Sequence, residues 1–198
     1  SFLYPDAMPS AIRSVGVFCS SSDRIAPAFL QMAAELGQAL AEREWTLVFG
    51  GCNMGLMGVL AKTVHRFGGK VVGVIPEGLR DRGLAYVPAD ELVVVPGLRE
   101  RKALMEARAD AFLALPGGIG TLDEILEVMA QKMLRAHAKP AVFINPRGYY
   151  EPLLAMLEQM AEQSFAAPGF RNLYHVAPDV ARALDWLENG PTSSGTAS

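Results

Sequence analysis

Short apolar runs rich in β-branched residues recur along the chain and alternate with longer segments of helical spacing. The runs are typical of buried strands, and they cover residues 14–19, 46–49, 70–75, 92–95, 111–115 and 141–144. The segments of helical spacing cover residues 27–43, 55–67, 98–108, 122–134, 149–162 and 178–187. This alternation predicts an α/β fold in which a Rossmann-like, doubly wound, mainly parallel sheet carries helices on both faces.

The length and composition of the chain favour one domain with a full-sized core. Of its 198 residues, 51% are hydrophobic and 20% are charged, which suits a single folded unit. We assign residues 11–189 to the Rossmann-like domain, residues 1–10 to an N-terminal arm and residues 190–198 to a disordered tail.

Charge, cysteine content and the first residues restrict the class of protein further. A net charge of −3 and a pI near 5.6 give no electrostatic footprint for nucleic acid. Cys19 and Cys52 are too few for a disulfide scaffold and lack metal-ligand spacing to a histidine. The start of the chain lacks signal-peptide character, and no apolar run reaches the ~18 residues that span a bilayer. We therefore expect a cytoplasmic protein with no metal, membrane or nucleic-acid partner.

The stretches after the first two predicted strands are unusual. In a parallel α/β sheet, ligands bind beyond the carboxyl ends of the strands. Residues 19–23, after the first strand, are small and rich in hydroxyl groups, and they include Ser21. Residues 49–58, after the second strand, contain Gly50 and Gly51, which let the backbone approach a ligand. Both stretches are therefore candidate binding loops.

The strongest signal follows the fifth strand, where residues 115–124 read Leu-Pro-Gly-Gly-Ile-Gly-Thr-Leu-Asp-Glu. A glycine turn here leads into a helix, whose unpaired N–H groups and positive dipole end suit a phosphate. No Gly-Lys-Ser/Thr follows, and Asp123 stands where a dinucleotide fingerprint needs glycine or alanine. ATP and NAD chemistry are accordingly disfavoured. An alternative interpretation is that Thr121 and Glu124 form a capping box that only satisfies the helix start.

Upstream of the glycine turn, a basic residue falls on an apolar helix stripe. Helical spacing places Arg101 on the same side as Leu98 and Met105. A buried guanidinium needs an anionic partner, and it can bind a phosphate through two hydrogen bonds. Arg101 is therefore a candidate functional residue, whereas Arg99 and Glu100 are expected on a solvated face.

Arg101-Lys102 followed by the nine residues 116–124 resembles the paired signature of the Lonely Guy family, the cytokinin riboside 5′-monophosphate phosphoribohydrolases. Residues 49–58 resemble the second glycine loop of that family. Cys52 replaces a usual glycine there, and Ser20 replaces one in the first loop. The resemblance extends from about residue 15 to residue 150.

The resemblance implies hydrolysis of the N-glycosidic bond of a nucleoside 5′-monophosphate, AMP or N6-isopentenyl-AMP, without a cofactor. It assigns Arg101 and Glu124 to catalysis. Glu124 would stabilise positive charge on the ribose and orient water, as carboxylates do in other glycosyl transfers. Arg101 would bind the phosphate or hold Glu124 ionised, and these alternatives stay open, as does the acid that protonates the base. The implied substrate-binding residues are Ser21, Gly50, Gly51, Met57, Arg101, Lys102, Pro116, Gly117, Gly118, Gly120, Thr121 and Glu124.

Two predicted helices carry apolar faces that bear on the oligomeric state. Apolar faces on residues 122–134 and 149–162 suit either core packing or a homodimer seam, and the resemblance favours a homodimer.

A non-catalytic nucleotide or molybdenum-cofactor carrier is the alternative function, since such proteins share glycine loops on this fold. A pyridoxal phosphate-dependent lysine decarboxylase has less support, because no lysine has a recognisable cofactor-binding context.

Overall fold

Seven parallel strands form one sheet in the structure, a computed structural model that describes residues 12–190. The strand order is β4-β3-β2-β1-β5-β6-β7, and every neighbouring pair is parallel. The strands are β1 (Ser14–Phe18), β2 (Thr46–Phe49), β3 (Val71–Pro76), β4 (Glu91–Val95), β5 (Ala111–Ala114), β6 (Ala141–Ile144) and β7 (His175–Ala177).

Helices cover both faces of the sheet, which confirms the predicted fold class. On one face α1, α2 and α7 pack over Val15 and Val17, and on the other α4, α5 and α6 pack over Phe18 and Phe112. Because both faces are covered, the central strands are continuous apolar runs rather than alternating ones. The helices are α1 (Pro27–Glu42), α2 (Gly55–Arg66), α3 (Glu77–Arg80), α4 (Leu98–Arg108), α5 (Ile119–Met133), α6 (Glu151–Glu162) and α7 (Val180–Asn189).

Four short elements were not predicted, namely β7, α3 and the 3₁₀ helices Pro146–Gly148 and Phe170–Leu173, and the start of one helix was wrong by three residues. The strand β7 has three residues and α3 has four, so neither is long enough to show a periodic pattern. The helix α5 begins at Ile119 instead of Leu122, because Gly118 is its N-cap and the end of the glycine turn is already helical. The predicted arm and all of the predicted tail except Gly190 lie outside the described residues.

The order of the strands determines where a ligand can bind. The chain passes from β1 outward to β4 and then returns to place β5 on the other side of β1. Connections on the two sides of this switch point leave the sheet on opposite faces, so a crevice forms at the carboxyl ends of β1 and β5. The loops after β1 and β5, together with the glycine loop after β2, surround that crevice. Within residues 12–190, no helix has the length and apolar character needed to cross a membrane.

Candidate active site

A cavity of about 310 Å³ opens at the carboxyl ends of β1 and β5. It brings together residues from the loop after β1, the first turn of α2, the helix α4 and the first two turns of α5. These residues are far apart in the sequence, and the switch point of the sheet joins them. The lining residues are Cys19, Ser20, Ser21, Ser22, Met57, Arg101, Gly118, Gly120, Thr121 and Glu124.

The start of α5 presents its backbone to this cavity. Gly118 is the N-cap and no side chain caps the helix, whose first turn closes where Leu122 N–H donates to the Gly118 carbonyl at 3.1 Å. A Cβ atom added to Gly118 or Gly120 would meet no atom within 4 Å, so open space lies over both residues. The first N–H groups of a helix have no intrahelical partner and carry the positive end of its dipole. The arrangement therefore suits an anion.

The capping-box interpretation of Thr121 and Glu124 is wrong. Gly118 occupies the cap position, so both residues lie inside α5, and both side chains are buried. Thr121 packs so closely on Gly117 that a Cβ atom there would lie 2.0 Å from the Thr121 hydroxyl oxygen. Glu124 is left to make a different interaction.

Glu124 forms an ion pair with Arg101 of α4, and both groups are withdrawn from solvent. Nη2 of Arg101 donates to Oε1 of Glu124, and the two side chains are 9% and 2% exposed. Gly50 makes room for the guanidinium, since a Cβ atom on Gly50 would lie 3.1 Å from Nη1 of Arg101. Nε of Arg101 is buried and has no hydrogen-bond partner among the described residues. Arg101 thus keeps donor capacity for a further acceptor.

Burial changes the protonation of Glu124. It raises the pKa of this carboxyl to about 7, although the Arg101 guanidinium favours the charged form. The negative charge of the neighbouring Asp123 raises the pKa further. A carboxyl with a pKa near neutrality can exchange a proton in either direction at physiological pH, which is the property of a general acid or base.

The loops after β1 and β2 are joined by hydrogen bonds that bring Met57 to the cavity. The Ser20 carbonyl accepts from the N–H groups of Leu56 and Met57, at 2.9 and 3.4 Å, and Asp23 Oδ1 accepts from Gly55 N–H at 2.8 Å. Gly55 has a φ of +55°, and a Cβ atom there would lie 2.5 Å from the carbonyl oxygen of Ser22. Only glycine fits this close approach.

Lys102 lies beside the cavity instead of lining it. Its ammonium pairs with Asp123, at 2.9 Å, and with Glu127, and these contacts raise the pKa of Lys102. Lys102 therefore links α4 to α5. The other predicted binding residues that do not line the cavity are Gly50, Gly51, Pro116 and Gly117.

The helical spacing that groups Leu98 with Arg101 and Met105 does not make Leu98 a core residue. Its side chain is 55% exposed, although Arg101 and Met105 on the same helix are buried as expected. Leu98 is the first residue of α4, and the buried residues of this helix are Arg101 and Met105.

Three lining residues were missing from the sequence-based site: Cys19, Ser20 and Ser22. All follow directly after β1, in the small, hydroxyl-rich stretch that the sequence already indicated as a candidate binding loop. Cys19 is buried, and both burial and the nearby Glu124 raise the pKa of its thiol, which keeps it protonated. Cys19 and Cys52 are both free thiols.

Neither a metal cluster nor a lysine belongs to the described part of this site. Residues 12–190 contain no group of three or more histidine, cysteine, aspartate or glutamate side chains that could hold a metal ion. None of the lining residues is a lysine, and pyridoxal phosphate chemistry needs a lysine to form a Schiff base.

Comparison with known sequences identifies similar proteins over most of the chain. The profile of a family described as "Possible lysine decarboxylase" matches residues 57–187. A probable cytokinin riboside 5′-monophosphate phosphoribohydrolase of Oryza sativa subsp. japonica is 42% identical over 90% of this chain and 73% of its own length. A cytokinin riboside 5′-monophosphate phosphoribohydrolase of Arabidopsis thaliana is 38% identical over 92% of this chain and 80% of its own length.

Similar solved structures include carriers of the molybdenum cofactor. The molybdenum cofactor binding protein of Rippkaea orientalis superposes with a TM-score of 0.70 at 20% identity, over 91% of this chain and 98% of that chain. The Moco carrier protein of Chlamydomonas reinhardtii gives a TM-score of 0.68 at 25% identity, over 90% of this chain and 96% of that chain. The first of these likenesses supports the fold alone.

Proposed function

Because the chain belongs to the Lonely Guy family of cytokinin riboside 5′-monophosphate phosphoribohydrolases, we propose that it hydrolyses the N-glycosidic bond of an adenosine 5′-monophosphate. Water adds across the bond between the ribose and the base, which yields a free adenine-type base and ribose 5-phosphate. The observation that carries this proposal is the buried Arg101–Glu124 pair, which faces the same cavity as the open start of α5.

The first N–H groups of α5 hold the 5′-phosphate in this proposal. The space over Gly118 and Gly120 admits the anion, and the dipole of a four-turn helix favours its charge. Glu124 accepts from Nη2 of Arg101, and Nε has no hydrogen-bond partner among the described residues, so the guanidinium keeps a donor for a phosphate or ribose oxygen. Binding energy from the phosphate then holds the sugar in register with the catalytic carboxylate.

Glu124 acts on the ribose. Cleavage of the C–N bond builds positive charge at the anomeric carbon, and a fixed carboxylate in a water-poor cavity stabilises that charge strongly. The same carboxylate takes the proton from the attacking water, because its pKa of about 7 makes it a competent base at neutral pH. The hydroxyl of that water bonds to the anomeric carbon as the C–N bond breaks, and the departing base gains one proton. The net reaction therefore consumes one water molecule.

The size of the cavity favours a mononucleotide. A volume of about 310 Å³ is at the lower end of the range for ligand sites. This supports AMP or N6-isopentenyl-AMP over a dinucleotide. Both nucleotides are adenosine 5′-monophosphates, and a comparison of kcat/KM for the two determines which one the enzyme prefers.

We also propose that the enzyme is a cytoplasmic homodimer. Its two cysteines are free thiols, as is usual in a reducing compartment. Ile119 is 84% exposed and Leu98 is 55% exposed, and a second copy of the chain would cover such apolar side chains. Size-exclusion chromatography with light scattering measures the mass; a monomer at micromolar concentration contradicts the dimer.

The decisive test is an assay for free base. We expect purified protein incubated with AMP, or with N6-isopentenyl-AMP, to release base and ribose 5-phosphate in equal amounts, measured by chromatography. A non-catalytic nucleotide or cofactor carrier is the second candidate, supported by the likeness to the Chlamydomonas carrier. Tight binding of AMP or of a molybdopterin without release of base would favour the carrier and overturn the hydrolase.

A further inference from the structure

Two adjacent tyrosines at the start of α6 hold the segment between β5 and α5 by its carbonyl groups. The Tyr149 hydroxyl donates to the Gly117 carbonyl at 2.8 Å, and the Tyr150 hydroxyl donates to the Leu115 carbonyl at 2.6 Å. The proposed mechanism uses neither tyrosine. Neither belongs to the residues that line the cavity.

The geometry of the peptide unit connects Tyr149 to the cavity. A peptide group is planar and trans, so the C=O of Gly117 and the N–H of Gly118 point in opposite directions. Gly117 is buried and lies outside the lining, whereas Gly118 is exposed and lines the cavity. A hydroxyl that holds the Gly117 carbonyl on the protein side therefore directs the Gly118 N–H toward the cavity.

Without such an anchor the peptide between the two glycines has an alternative orientation. Glycine has no Cβ atom and populates both signs of φ, so consecutive glycines allow the peptide plane between them to rotate. A rotated peptide would present a carbonyl oxygen to the anion site in place of an N–H donor. That oxygen would repel a phosphate instead of binding it.

We propose that Tyr149 is a positioning residue that fixes the Gly118 N–H as a donor to the 5′-phosphate of the substrate. The inference rests on the proposed function for the identity of the ligand. The Tyr149 ring is itself held in place, since it packs edge-on against Phe29 at 6.0 Å and against Tyr150 at 5.1 Å between ring centroids. The packing of the ring therefore holds the Tyr149 hydroxyl in one position.

Tyr150 provides a matched control within the same structure. It holds the Leu115 carbonyl, but the next residue is Pro116, whose nitrogen carries no hydrogen and so offers no donor to orient. Tyr150 is also only 2% exposed, and its own N–H donates to Asn145 Oδ1 at 2.7 Å. Its hydroxyl serves the fold, whereas the hydroxyl of the half-exposed Tyr149 serves ligand binding.

The test compares Tyr149→Phe with Tyr150→Phe, and it uses ligands with and without a phosphate. Calorimetric titration measures the affinity for ribose 5-phosphate and for adenosine, and steady-state kinetics with AMP separates KM from kcat. We expect Tyr149→Phe to weaken ribose 5-phosphate binding about fivefold to tenfold, as for one lost hydrogen bond. It should raise KM for AMP by a similar factor, and kcat and adenosine affinity should stay near wild type.

We expect Tyr150→Phe to lose more stability than Tyr149→Phe, which is the reverse of the order expected for the loss of ribose 5-phosphate binding. Tyr149→Phe should lower the melting temperature by only a few degrees, because the hydrogen bond that it removes is part-buried and not fully buried. Tyr150→Phe leaves a buried carbonyl without a donor and should lower the melting temperature more, with the affinity ratio between ribose 5-phosphate and adenosine unchanged. Unchanged ribose 5-phosphate binding in Tyr149→Phe, or an equal loss of adenosine binding, would overturn the positioning role. Failure of the wild-type protein to release base from AMP is a separate result, which overturns the proposed reaction.

Discussion

Two arginines of the same helix form ion pairs with glutamates, and the two pairs have opposite properties. Arg101 and Arg108 lie two turns apart on α4, and each donates to a glutamate carboxylate. The Arg101–Glu124 side chains are 9% and 2% exposed, whereas those of Arg108 and Glu91 are 42% and 45% exposed. Burial raises the pKa of Glu124 to about 7, while the hydrogen bond from Arg108 lowers the pKa of Glu91.

The comparison shows that solvent, not the identity of the partner, decides what an ion pair does. Water screens the exposed pair, so it contributes little to stability and keeps its carboxylate ionised. The buried pair loses the solvation of both charges, and its carboxyl becomes able to accept a proton at neutral pH. The buried pair lines the cavity at the carboxyl ends of β1 and β5, so it has the position and the protonation behaviour that catalysis requires.

Removal of each carboxylate charge should separate the two pairs most clearly. We expect Glu124→Gln to lower kcat for AMP by about 10²- to 10³-fold, because the lost charge acts mainly in the transition state. Binding of AMP should stay close to wild type, since the phosphate is held by α5. The matched variant Glu91→Gln should retain wild-type kcat. Retention of more than a tenth of the wild-type kcat in Glu124→Gln would show that Glu124 is not the catalytic carboxylate.

The two arginines can be compared in the same way. Arg101→Met should lower kcat/KM about 10²-fold, because it removes a donor near the ligand and leaves Glu124 protonated at neutral pH. Arg101→Lys should not restore activity, since an ammonium lacks the planar fork of the guanidinium. Arg108→Met should leave both kcat/KM and the melting temperature near wild type. Equal losses in the Arg101 and Arg108 variants would contradict the distinction between the pairs.

The pH dependence of kcat/KM reports the protonation of Glu124 in the free enzyme. The pKa of Glu124 is raised, and the reaction needs the carboxylate, so activity is lost as the pH falls below about 7. We expect kcat/KM to fall about tenfold per pH unit between pH 6.5 and 5 and to level off above pH 7.5. The profile of Glu91→Gln should be the same as wild type. A profile that stays flat down to pH 5 would mean that the catalytic group is an ordinary exposed carboxylate.

Lys102 should give the smallest effect, although it follows Arg101 directly in the chain. Its ammonium is already paired with Asp123 and Glu127, so we expect Lys102→Met to change KM for AMP less than about threefold. Lys102→Arg should behave as wild type. A tenfold or larger increase in KM for Lys102→Met would instead make Lys102 a substrate-binding residue, as the family resemblance implies.

The sequence was sufficient for the long elements and for the position of the cavity. Six of the strands are apolar runs and the longer helices have clear apolar periodicity, and the switch point follows from the order of a parallel sheet. The burial of Arg101 was also predictable, because Met105 lies one turn further along the same stripe. The short strand β7 was not, since three residues cannot show a period.

The interactions of the site depend on contacts that no local pattern encodes. The capping-box sequence at Thr121 and Glu124 is real, but the glycine turn starts the helix three residues earlier and gives the glutamate to Arg101. Tyr149 is 32 residues from the carbonyl that it holds. The raised pKa of Glu124 likewise depends on the burial that only the packed helices produce.

A structure of Glu124→Gln with bound AMP would show the catalytic arrangement itself, because the variant retains the substrate without cleaving it. We expect the 5′-phosphate to lie within about 3 Å of the N–H groups at the start of α5, with the side chain of residue 124 beside the anomeric carbon. A phosphate bound elsewhere, or an anomeric carbon that faces away from residue 124, would contradict this arrangement.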